Sequence, residues 1–348
     1  MLNILLFAIL FAFVGTRNGR VLLMKTLRAP LSETPFSVRR VLTVNSYLAP
    51  LFFRRAMIYA ATYPLTQAEK SWIHHISEAS WNGVWIAPNL KDVKQAQEIA
   101  PEQDLVILYI HGGGFTEGYS YMYMDTFQTI IRKLKNKHNM RASILSLEYN
   151  LSPEHTWPTA STEALDCYRY LIHDLGISPS KVILAGDSAG GNLVATTLLR
   201  LKDRQDDDLP PLPLPAGAVL LCPWLDLTAQ AFPAMHDTIT PKMLDAFKAR
   251  YLTNANQMQD PLVSPMYGDF SRIRCPFFVA YGSQEILKPS IETFIANIKR
   301  DGCDVTVLRG KENTTHNWLI TSLMATSRAV YERDCQAYID WMATTIQQ

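Results

Sequence analysis

The chain has 348 residues, with 33 Lys and Arg against 32 Asp and Glu, for a formal charge of +1. That balance gives no electrostatic reason to expect a nucleic acid or a strongly charged substrate. The apolar fraction of 48% is that of a globular protein, and the length allows a large core in one domain or two. Cys167, Cys222, Cys275, Cys303 and Cys335 are odd in number, scattered and without a C-x-x-C pair. They read as small buried hydrophobes, not as a disulfide framework or a zinc site.

Leu2 to Val14 is an uncharged apolar run, followed by Arg17, Arg20 and Lys25. It is shorter than the ~20 residues of a bilayer span. It has no basic region before it and no small-residue cleavage site after it, which disfavours a cleaved signal. Residues 1–20 are therefore expected to be a hydrophobic anchor, with membrane association extending over 2–24. The alternative is an apolar helix packed on the protein's own surface. Residues 21–95 are expected to hold a helical lid or cap and the first strands, with a helical stretch over 41–62 and with His74 and His75 in this helical region. Val84-Trp85-Ile86-Ala87-Pro88 looks like an early strand.

Residues 96–348 are expected to form the main, catalytic domain. Strands are expected at 105–111, 142–149, 181–185, 216–222, 277–281 and 304–308. Helices are expected at 122–137, 159–175, 191–202, 289–301 and 322–346. Such alternation implies α/β architecture, a mostly parallel sheet with helices on both faces. The charged, proline-rich stretch 205–215 reads as a surface loop, and a lid insertion is expected around 228–262.

Gly186-Asp187-Ser188-Ala189-Gly190 sits between the apolar run from Lys181 and a helical run from Val194. Strand, sharp turn and helix are the setting in which G-x-S-x-G holds a nucleophilic serine above a sheet edge. Gly186 and Gly190 remove side chains that would clash across the turn, and the helix N-terminus favours developing negative charge. His111-Gly112-Gly113-Gly114-Phe115 directly follows the strand from Leu105. Three glycines are costly to order, and they suit a loop whose amides must approach an oxyanion.

HGGGF at 111–115, YNLSPEHTWP at 149–158, GDSAGG at 186–191 and CPWLDLT at 222–228 together resemble the hormone-sensitive-lipase-like (GDXG) group of α/β-hydrolases. The resemblance runs over roughly residues 105 to 320, in that group's motif order. It implies the α/β-hydrolase fold, an eight-stranded type of sheet with a helical lid. A finer resemblance, to fungal steryl acetyl hydrolases and esterases of secondary metabolism, rests on the apolar N-terminus and the segment before the sheet.

In this fold the acid and then the histidine follow the serine. The downstream histidines are His236 and His316. His316 lies just past the last strand, where the family places its histidine, and is expected to be the base. Asp226, Asp260 and Glu285 are candidates for the acid. The resemblance favours Glu285, at family-like separation from His316, although many relatives have D-x-L-x-D where this chain has Glu-Ile-Leu-Lys-Pro. It also implies that the amides of Gly113, Gly114 and Ala189 form the oxyanion hole. His111 and Gly112 would brace the glycine loop, and Asp187 and Glu154 would hold the elbow and the neighbouring loop.

No carboxylate cluster or His/Cys spacing calls for a metal, and no dinucleotide fingerprint calls for a cofactor. The expected substrate is a small apolar ester, with a short acyl group such as acetyl on a sterol or fungal metabolite. Tyr119, Tyr121 and Tyr123, with Phe52 and Phe53, would suit it, or would be ordinary core. Amide or lactone hydrolysis by the same triad is an alternative, as is a non-catalytic small-molecule-binding protein on the same fold. The resemblance favours an endoplasmic reticulum membrane location over a cytoplasmic one.

Overall fold

The structure is a computed structural model that describes residues 65–203, 212–228, 237–311, 313–322 and 324–348. The apolar run 2–14, the stretch 41–62 with Phe52 and Phe53, His236 and most of the loop 205–215 lie outside the described residues.

Eight strands form one sheet: β1 (Ile73–Ser77), β2 (Asn82–Ile86), β3 (Leu105–Ile110), β4 (Ala142–Glu148), β5 (Val182–Asp187), β6 (Gly217–Leu221), β7 (Phe277–Tyr281) and β8 (Val305–Arg309), in the order β1-β2-β4-β3-β5-β6-β7-β8. β2 is antiparallel to β1 and β4, and the remaining pairs are parallel. The helices are α1 (Gln67–Lys70), α2 (Val93–Ile99), α3 (Met124–His138), α4 (Thr159–Arg169), α5 (Ala189–Asp203), α6 (Pro241–Tyr251), α7 (Lys288–Arg300) and α8 (Arg328–Gln347).

The central strands are apolar throughout because both faces are covered. Along β3, Val106, Leu108 and Ile110 enter a core shared with α4, α5 and α7. Leu105, Ile107 and Tyr109 point the other way, into a core with α3 and α8. β3 and β5 are neighbours, while β4 lies on the other side of β3. Loops leaving β3 and β5 therefore diverge to opposite helical layers from the carboxyl ends of these strands, the place where open α/β sheets carry their sites.

The region before the sheet differs from expectation. His74 and His75 lie on β1, whose register pairs His74 with Trp85 and His75 with Val84. Only Ile76 of that strand is buried. An edge strand with one buried side chain carries almost no periodic signal, and pairing with β2 defines it. Helix α2 was not expected, and α6 lies within the stretch 228–262, where a lid insertion was expected without helix bounds. Regular helix in α4 ends at Arg169, where a wider turn over Tyr170–Asp174 replaces the expected continuation to 175. α8 begins at Arg328, because the Ser327 side chain accepts the Val330 N–H and caps the helix there. All five cysteines are buried and unpaired.

Candidate active site

β5 enters α5 through Ser188, which holds φ +52°. A side-chain-bearing residue is strained there, and such strain is kept only where the surroundings over-determine it. Here the Ser188 N–H donates to Leu221 O at 2.9 Å, and the Ser188 carbonyl accepts from Trp224 N at 2.9 Å. A Cβ on Gly190 would lie 1.9 Å from Ile110 O, and one on Gly186 would lie 2.5 Å from Gly190 O. Only glycine allows β3, β5 and α5 to approach this closely. Ser188 is 8% exposed at the head of the helix.

The glycine loop leaves the carboxyl end of β3 beside the elbow. Gly113 and Gly114 hold φ +114° and +59°. The Gly113 carbonyl accepts from Thr116 N and Glu117 N, both at 3.0 Å, which folds the loop back on itself. The amides of Gly113, Gly114 and Ala189 donate to no group among the described residues. His111 Nδ1 donates to Gly112 O at 2.7 Å, and the ring stacks on Tyr149 with centroids 4.3 Å apart. Burial pushes the His111 imidazole below its ordinary value, and the hydrogen bond and the stacked ring brace the loop.

Two further loops supply an acid–base pair. Glu285, in the loop after β7, and His316, in the loop after β8, are both buried. His316 Nδ1 lies 2.7 Å from Glu285 Oε1, and Glu285 Oε2 accepts the Gly282 N–H at 2.8 Å. Burial pushes the His316 imidazole down. The hydrogen bond and charge of Glu285, with the charges of Asp237 and Asp187, more than reverse this and hold it above its ordinary value. Asp226 and Asp260 are engaged elsewhere. Asp226 accepts from Thr228 N and Oγ1. Asp260 accepts from Leu262 N at 2.8 Å.

Asp187 ties these parts together. Its Oδ1 accepts from Tyr109 Oη and Gly112 N, and its Oδ2 accepts from Tyr123 Oη and Asn317 Nδ2, at 2.8 to 3.0 Å. Tyr123 thus has a polar role here. Tyr119 and Tyr121 line a cleft of about 550 Å³ with His75 and Glu148, and none of Ser188, Glu285 or His316 borders it. Glu154 is exposed. Glu163 is a carboxylate that holds the 149–158 loop, accepting the Asn150 N–H at 2.7 Å and a second bond from Asn150 Nδ2.

Sequence reasoning missed Asp237 and Asn317. Asp237 Oδ1 accepts the His316 N–H at 2.9 Å, and its Oδ2 accepts the Ile286 N–H at 2.7 Å. Asn317 immediately follows the histidine, which was the one available signal for it. The Cys222 thiol, kept protonated by burial, accepts the Asn317 N–H at 3.3 Å and lies within 4.8 Å of a Glu285 carboxylate oxygen and a His316 ring nitrogen.

Residues 107–320 match the family described as alpha/beta hydrolase fold. An esterase of Acinetobacter venetianus is 34% identical over 207 residues, 58% of this chain and 63% of the relative. An acetyl-hydrolase of Streptomyces hygroscopicus is 30% identical over 214 residues, 60% of this chain and 66% of the relative. The match therefore spans less than two thirds of each relative's own length. The crystal structure of a hormone-sensitive lipase from a metagenome library superposes with TM-score 0.73 at 24% identity, covering 91% of this chain and 99% of that one. That likeness is one of fold.

Proposed function

The chain belongs to the alpha/beta hydrolase fold family, and on that premise we propose that it is a serine hydrolase of carboxylic esters. Ser188 is the nucleophile. His316 takes its proton as Ser188 Oγ attacks the ester carbonyl, and Glu285 orients the ring and stabilises the imidazolium. The amides of Gly113, Gly114 and Ala189 receive the oxyanion. His316 returns the proton to the departing alcohol. Water, deprotonated by His316, then attacks the acyl-enzyme, and collapse of the second tetrahedral intermediate frees the acid and restores Ser188.

The observation that carries this reading is the conjunction of a buried Glu285–His316 pair with amides in the elbow and the glycine loop that have no partner among the described residues. Short acyl groups are favoured because one similar protein is named an acetyl-hydrolase. The fungal resemblance adds a bulky apolar alcohol, a sterol or secondary metabolite. Esters of graded acyl length test both points, and turnover that peaks at long chains overturns the acetyl preference. Amides and lactones in the same panel decide the related alternative. A protein that binds apolar ligands and hydrolyses none would establish the receptor reading, which the presence of His316 disfavours.

No helix among the described residues is long and apolar enough to cross a membrane. An anchor, if the chain has one, falls to residues 2–24, and the fungal resemblance favours the endoplasmic reticulum. Deleting residues 1–20 should release the protein from the membrane fraction with its esterase activity intact. Full-length protein recovered entirely in the high-speed supernatant rejects the anchor.

A further inference from the structure

The stretch from Asp237 through α6 contacts both halves of the proposed machinery. At one end, Asp237 accepts two backbone N–H groups from separate loops: His316 N at 2.9 Å on Oδ1 and Ile286 N at 2.7 Å on Oδ2. Ile286 is the residue after Glu285. At the other end, Phe247 fills the space over Gly114, where an added Cβ would meet its ring at 2.4 Å. Tyr251 stacks on Phe115 with centroids 3.8 Å apart.

We propose that Asp237 is a positioning residue for the reaction: its carboxylate clamps the acid loop to the histidine loop and so sets the Glu285–His316 contact. This rests on the serine-hydrolase reading above. Glu285 and His316 stand on loops after different strands, and their 2.7 Å contact exists only while those loops keep one relative position. Thr314 supplies a second tie, accepting from Gln284 N at 2.9 Å and, through Oγ1, from Ser283 N at 3.1 Å. That tie joins the loops ahead of both working residues. Asp237 joins them at His316 itself and next to Glu285. Its Oδ1 also accepts the Thr238 N–H at 2.7 Å, which fixes the carboxylate in its own segment.

Only an acceptor at both oxygens can do this. In Asp237→Asn the amide nitrogen would face either the Ile286 or the His316 N–H, donor against donor, and one bond must open. The negative charge beside the imidazole is lost as well. The charged or titratable groups around His316 are Glu285 from the β7 loop, Asp187 from β5, Asp237 from the α6 lead-in and Cys222 after β6. The first three raise its proton affinity, so removing one lowers it, and the ring becomes neutral at lower pH.

The experiment compares wild type, Asp237→Asn, Asp237→Glu and Asp260→Asn on p-nitrophenyl acetate across pH. His316 is followed independently by proton NMR of its Nδ1–H, assigned by loss of the signal in His316→Ala. Asp237→Asn should lower kcat by about 10- to 100-fold, the scale of a small misplacement of reacting groups. KM should stay within about threefold of wild type. The acid limb of kcat/KM and the NMR midpoint should both move to lower pH, with partial recovery in Asp237→Glu. Asp260→Asn, which breaks a local turn away from the pair, should reduce thermal stability without moving either midpoint.

Wild-type kcat and an unmoved His316 midpoint in folded Asp237→Asn overturn the clamp. So does a kcat loss that merely tracks melting temperature, as in Asp260→Asn, with the midpoint unmoved. If wild type hydrolyses no ester, the serine-hydrolase reading fails, yet the His316 resonance and midpoint still decide whether Asp237 sets the pair.

Discussion

The residue before Ser188 is bonded to the residue after His316: Asn317 Nδ2 donates to Asp187 Oδ2 at 2.8 Å, across 130 positions of sequence. The same carboxylate accepts the Gly112 N–H at 3.0 Å. The elbow, the glycine loop and the histidine loop thus meet at one buried acid. Burial pushes the Asp187 carboxyl above the usual range, and bonds from Tyr109 and Tyr123 with the nearby imidazoles oppose that rise.

Asn317→Ala should keep the fold, because the Asn317 backbone N–H to Cys222 remains. It should lower kcat by about tenfold through a looser His316 loop. Steady-state kinetics with thermal melting as control make the check. Unchanged kcat means that the Asp187 link is structural only.

Ser188→Ala and His316→Ala should each reduce ester turnover by roughly 10⁴- to 10⁶-fold, while circular dichroism stays native. Either folded variant retaining full activity ends the proposed mechanism.

Glu285→Gln should drop kcat by orders of magnitude, because the negative charge that supports protonated His316 is gone. Asp260→Asn should act on stability. The reverse pattern in well-folded variants would make Asp260 the working acid, against the geometry in which Glu285 alone of the candidate carboxylates meets His316.

The pH profile has a defined sign. His316 is held above the ordinary imidazole value of 6.5. A base works when neutral, so the acid limb of kcat/KM should lie above that value, and Glu285→Gln should move it down. Stability follows the raised-pKa case. The contribution from the charged pair is fully present below pH 6.5 and is lost as pH rises through the folded-state value. Urea midpoints across that window, in wild type and Glu285→Gln, test it, and parallel curves for the two proteins would count against the ion pair.

Gly190→Ala should fail to reach the native fold or melt far below wild type, since its Cβ would sit 1.9 Å from backbone oxygen of Ile110, which no side chain can yield to relieve. A melting temperature within a few degrees of wild type would show that β3 and α5 can separate.

The sequence by itself determined the parts whose conformation is local. Gly186, Ser188 and Gly190 announce a strand turning sharply into a helix, and Gly112 to Gly114 announce exposed amides after a strand. Both requirements are visible in where side chains are missing. The apolar runs of β3 to β7 were equally legible, because burial on both faces leaves little choice of residue. Three features depended on tertiary structure. β1 is an edge strand defined by its partner, so Ile73–Ser77 reads as nothing in particular alone. Spacing admitted Asp226, Asp260 and Glu285 as acids, and the resemblance favoured Glu285. Which of them faces His316 follows from how the loops after β7 and β8 lie side by side. Asp237 had no signal, because a carboxylate that accepts backbone amides of distant loops leaves no pattern in its own neighbourhood; only the folded chain brings His316 N and Ile286 N to it.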